Sequence, residues 1–148
     1  MKKNITIYIA ILLLAIGFSA KAQTEEQKVK ICTGMAGSDA TYLKDFIVEL
    51  QAVQGNEKTP SAKYSILLNK DTRYRFTLCT DDDSPGKGII QLFDTNAQMA
   101  STFIPATGKE FKGFDIDIQK TGVYHVFVSF HDGKAGKATI ILSLVKRL

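Results

Sequence analysis

The chain has 148 residues, 45% of them hydrophobic and 23% charged, with a formal net charge of +4, two cysteines, two histidines and no tryptophan. That length suits one domain around one core. Three of the 19 basic residues, Lys2, Lys3 and Lys21, fall within the first 22 positions, where there is no acid; residues 23–148 hold 16 basic and 15 acidic residues, a balance of +1 that gives no electrostatic case for a nucleic-acid partner.

Residues 1–22 read as a secretory signal peptide. Lys2 and Lys3 form a charged leader, ITIYIAILLLAIGF is an apolar run of 14 residues, and Ala20-Lys21-Ala22 fits the small-x-small cleavage rule. The run is shorter than the roughly 20 apolar residues of a spanning helix, so no membrane span is expected after signal cleavage. No cysteine stands at the cleavage point to carry a lipid. An exported chain starting near Gln23, periplasmic or extracellular, is expected. Its organisation divides into an N-terminal segment, residues 23–40, and a β-sandwich domain, residues 41–148.

Thr24 with Gln27 three residues later is a capping-box pattern and opens a short helical or irregular segment. Residues 41–51 fit two patterns: Leu43, Phe46, Ile47 and Leu50 make a helical stripe, whereas Phe46, Val48 and Leu50 make a strand face. The clustering of Phe, Ile and Val favours the strand. Beyond the loop at residues 54–61 the period is two. Tyr64/Ile66/Leu68, Tyr74/Phe76/Leu78, Ile90/Leu92, Phe114/Ile116/Ile118, Tyr124/Val126/Val128/Phe130 and Ala138/Ile140/Leu142/Leu144 each alternate with outward residues, the mark of half-buried strands. Asn69-Lys70-Asp71, Thr107-Gly108-Lys109, Lys120-Thr121-Gly122 and Asp132-Gly133 punctuate them with turn chemistry. Short strands at this spacing predict an all-β sandwich of two antiparallel sheets rather than βαβ units. NKDTRYRFTL (69–78) also echoes QKTGVYHVFV (119–128), a polar turn followed by a tyrosine that opens a strand.

In an oxidising compartment Cys32 and Cys79 are expected to form a disulfide, with two free thiols as the alternative. Cys79 shares outward parity with Arg73, Arg75 and Thr77, and Phe127 is outward on its own strand. An outward Cys and an outward Phe call for a cover. A Cys32–Cys79 bond that staples the N-terminal segment across an outer sheet face would supply it.

YSILLNKDTRYRFTL, GIIQLFDTNAQMAS, FDIDIQKTGVYHVFVSF and KATIILSLV together resemble the bacterial pre-peptidase C-terminal domain, a small jelly-roll-like sandwich usually appended to secreted enzymes. The resemblance covers residues 64–145. It implies a binding or accessory role and no catalysis, although here no protease or hydrolase domain accompanies it.

Candidate sites are few. His125 and His131 share one strand face but stand about 20 Å apart at ~3.3 Å per residue, too far to hold one metal ion. No nucleophile-elbow or papain-like signature surrounds them. Asp81-Asp82-Asp83 is the best calcium candidate, yet Pro85 and Leu92 occupy the fifth and twelfth positions of an EF-hand count, and a solvated acidic turn is the preferred reading. No cofactor is expected. Without tryptophan there is little to build a sugar platform. The expectation is a non-catalytic module that binds a protein or glycan partner, with Arg73, Arg75, His125 and His131 as contact candidates. A structural component of the cell envelope is the alternative, and a small hydrolase a third.

Overall fold

The computed structural model describes residues 24–148; the expected export signal lies outside the described residues. Among the described residues one α-helix, α1 (Glu25–Met35), precedes ten strands: β1 (Thr41–Leu50), β2 (Ala62–Leu68), β3 (Thr72–Thr80), β4 (Gly88–Phe93), β5 (Gln98–Ser101), β6 (Phe103–Ile104), β7 (Lys109–Glu110), β8 (Gly113–Ile118), β9 (Gly122–Phe130) and β10 (Gly136–Arg147). The capping box is formed in full. Thr24 Oγ1 accepts from the Gln27 amide at 3.2 Å, and Gln27 Oε1 accepts from the Thr24 amide at 3.1 Å. No described helix is long and apolar enough to cross a membrane.

The strands form two four-stranded antiparallel sheets, ordered β1-β10-β3-β8 and β2-β9-β4-β5, with β6 and β7 as a separate small hairpin. With that hairpin set aside, the eight remaining strands interleave between the layers in the order of a jelly roll. Of residues 41–51, Thr41–Leu50 take the strand reading, because Phe46 and Val48 supply core surface opposite Ile140 and Ala138 of β10. Alternation places Phe76, Ile90, Leu92, Val126, Val128 and Ile140 between the layers, each fully buried.

The two echoing segments have matching local structure. Tyr74 and Tyr124 are buried, and each phenol reaches back to the turn before its strand. Tyr74 accepts from the Asn69 amide at 3.1 Å, and Tyr124 donates to the Lys120 carbonyl at 2.5 Å. A buried phenol needs such a partner, so the polar turn and the tyrosine act as one unit.

Candidate binding face on the second sheet

The outer faces of the two sheets are built differently. On the first, α1 packs across β3 and β10, and Cys32 is bonded to Cys79 with a Cα–Cα distance of 5.9 Å. Cys32, Ala36 and Ile141 form a second small core beneath the helix, with Val29 and Cys79 against it. At one end Lys28 pairs with Asp81 at 2.5 Å. At the other, Arg75 Nη1 donates to the Ala36 carbonyl and to Asp39, each at 2.7 Å, while its Nε donates to Asp115 at 2.7 Å. A guanidinium suits the exposed carbonyls at a helix C-terminus. Arg73 makes the same cross-strand pair one step along, donating to both oxygens of Asp117 at 2.6 and 2.8 Å. These hydrogen bonds hold the Asp39 and Asp117 carboxyls below their ordinary 3.8 and hold the Arg73 and Arg75 guanidinium groups more firmly in their charged form. The two arginines named as contact candidates are therefore engaged within the molecule.

Phe127 lies on the other sheet, so the stapled segment covers the Cys79 face and leaves the Phe127 face alone. The expectation that one cover would serve both residues is corrected here. On β9, Val123, His125 and Phe127 point outward; β2 sets Leu67, Ser65 and Lys63 opposite them, and β4 sets Phe93 opposite His125. The Phe93 and Phe127 rings meet edge-to-face with centroids 5.3 Å apart, and the Lys63 ammonium stands 5.6 Å from the Phe127 centroid. Leu67 is 67% exposed and Val123 52% exposed. Gln91 donates to Gln98 at 2.8 Å at the far side. No outward position on these four strands is acidic. The result is an apolar stripe bordered by amides, hydroxyls, one lysine and one histidine.

The histidines occupy separate surroundings. His125 Nδ1 is 3.0 Å from Ser65 Oγ across the sheet. His131 falls beyond the end of β9, in a short 3-10 turn, with its ring 4.4 Å from that of Phe103 and its nitrogens 3.6 Å from Glu110 and 3.4 Å from Asp132. Ser65 and His125 form a nucleophile–base pair in geometry alone. Backbone amides of paired strands lie in the sheet plane, so they do not point at a carbonyl held above Ser65. Among the described residues no group of three or more His, Cys, Asp or Glu side chains converges to hold a metal. Of the calcium candidate Asp81, Asp82 and Asp83, Asp81 is turned to Lys28, and its carbonyl accepts from the Ser84 amide at 3.0 Å to close the turn.

Phe127 was visible in the sequence as an outward aromatic. Phe93, Val123 and Leu67 carry the same signal, since each is apolar at an outward parity, but only strand pairing shows that they are neighbours. No family model matches the chain, and no curated protein matches it. Among solved structures it is similar to that of Aeromonas hydrophila PliG, a periplasmic lysozyme inhibitor of g-type lysozyme, with a TM-score of 0.47 and 8% identity over 70% of this chain and 87% of that one.

Proposed function

We propose that this protein is an exported, non-catalytic module that binds a protein partner through the outer face of the β2-β9-β4-β5 sheet. The observation that carries the reading is the contrast between the faces. One is covered by α1, clamped by a disulfide and closed by ion pairs; the other leaves the Phe93–Phe127 pair, Val123 and Leu67 uncovered by any described helix. A contiguous apolar patch with a polar rim is the usual form of a protein–protein contact. With Lys63 and His125 on the face and no acid, the complementary surface is apolar with carboxylates at its margin. The intramolecular disulfide fits an oxidising compartment. The resemblance of residues 64–145 to the pre-peptidase C-terminal domain supports an accessory role beside secreted enzymes.

The test is site-specific photo-crosslinking in the native host. A photoreactive residue at Val123 is expected to give one discrete adduct in the envelope or secreted fraction, and Phe127→Asp to reduce it at least tenfold. The same residue at Ile31, on the exposed side of α1, is expected to give none. Equal adducts from both positions would remove the assignment of the face. An adduct of the protein with itself would point instead to a structural, self-assembling component.

A further inference from the structure

The two layers part along one edge. β1 and β2 are edge strands of opposite sheets on the same side of the sandwich, joined where the Phe46 and Tyr64 rings stand 4.6 Å apart. Farther along, both partners in the first sheet lose register: β1 shifts between Tyr42 and Lys44, and β10 between Leu144 and Lys146. Such bulges bend a strand and increase its local twist. At that end a groove of about 390 Å³ opens between the layers.

Part of its lining is core surface, and Ser65, Leu67 and Asn69 add an exposed, partly polar side. Ile66, Leu68, Tyr74, Leu142 and Leu144 all have inward parity, and Leu43, the extra residue of the β1 bulge, lies at the mouth. Two cations also line it. Lys44 has inward parity and places its ammonium 5.5 Å from the centre of the Phe46 ring, and Arg147 donates to Thr72 Oγ1 at 3.3 Å. Neither cation has a carboxylate partner among the described residues, and no lining residue is acidic. The groove is within the size range of small-molecule sites, which are apolar with a few placed polar groups.

We infer that this groove binds a single-chain amphiphile with a carboxylate head, the chemistry of a free fatty acid. The alkyl chain enters between the layers against Leu68, Leu142 and Leu144, and the carboxylate meets Lys44 and Arg147 at the mouth. Burial of the chain supplies affinity in proportion to the apolar surface removed from water, and the two cations select the sign of the head group. The site lies on the edge of the sandwich, and the inference stands apart from the protein-binding face on the second sheet; Ser65 and Leu67 border both.

The purified, disulfide-bonded protein is titrated with sodium dodecanoate below its micelle concentration and followed by two-dimensional NMR. Saturable shifts are expected at Leu43, Leu68 and Leu144, with dodecyltrimethylammonium bound at least tenfold more weakly. Lys44→Glu combined with Arg147→Glu changes two exposed side chains; its spectrum reports that the fold is kept, and its affinity for dodecanoate is expected to fall tenfold or more. Equal binding of the cationic amphiphile would overturn the inference, as would the absence of saturable shifts or shifts confined to Phe93 and Phe127. Binding to phosphatidylglycerol vesicles without binding of dodecanoate would assign the groove to a membrane surface and overturn it as well.

Discussion

Ile141 has no exposed surface, although its parity on β10 directs it away from the space between the layers. Thr77 lies opposite it on β3, and Cys32 and Ala36 of the helical segment close over it. Ile141→Ala removes buried methyl groups from a site fixed on one side by a sheet and on the other by a disulfide-tethered helix, so collapse around the gap is limited. A loss of about 3 kcal/mol is expected, measured by urea denaturation of the oxidised protein. A loss below ~1 kcal/mol would show that the helix rests loosely on the sheet. Outward apolar residues were readable from the alternation, but parity alone does not separate Ile141, which is covered, from Phe127, which is not. The separating signal was Cys79. Its neighbour in register is Thr139, two positions from Ile141, so the cysteine marked the face that would be covered.

Among the elements, α1 is held on the sheet by contacts of two kinds, apolar at its centre and charged at its ends. Two carboxyls on this side of the sheet depend on pH. Asp39, just beyond α1, is hydrogen-bonded by Arg75, and Asp117 of β8 by Arg73 of β3, so both carboxyls lie lower in the folded protein than the ordinary 3.8. A depressed carboxyl contributes stability above its unfolded value, and that contribution disappears as the pH falls through the folded one. The denaturation midpoint is therefore expected to drop as the pH is lowered below about 3.8, and Asp39→Asn to flatten part of that drop. Identical pH profiles for the two proteins would show that the Asp39 bond is no firmer in the folded chain than in the unfolded one. Solvent exposure of Asp39 keeps the effect modest.

The element order was legible where strands are long and alternate cleanly, from β1 to β4 and from β8 to β10. It was not legible for β5, β6 and β7, which span four, two and two residues and are too short to display a period. The groove at the β1–β2 edge was hidden for a related reason. Leu43 falls in the helical stripe of residues 41–51 and Val145 continues an alternation, and only the register of paired strands exposes the bulges there. The arginine pairs were missed because Asp115 and Asp117 read as ordinary outward residues until β8 is placed beside β3.

Over the whole molecule, the Cys32–Cys79 bond closes a loop with a sequence separation of 47. It joins the helix to a strand that is central in its sheet, and it bypasses β1 and β2. In the chain-entropy account a closure of this length restricts the unfolded ensemble by about 4 kcal/mol. Cys32→Ser with Cys79→Ser is expected to lower the free energy of unfolding by about that amount, with most hydrogen-exchange protection lost first in α1. Equilibrium denaturation of the oxidised and doubly substituted proteins measures it, and equal stabilities would place the bond's role elsewhere than in stability.

The covered face also settles how the molecule is presented. The described chain begins at Thr24, on the first sheet's outer side, and α1 runs along that side until β1 begins. The stripe containing Phe93 and Phe127 lies on the opposite surface, with the full thickness of the sandwich between. Immobilising the protein through its N-terminal side would therefore turn that stripe toward the surrounding fluid, whereas attachment through Lys63 would turn it toward the support. Sensor surfaces, fusion partners and labels placed at the two positions would sample opposite poles of one small body.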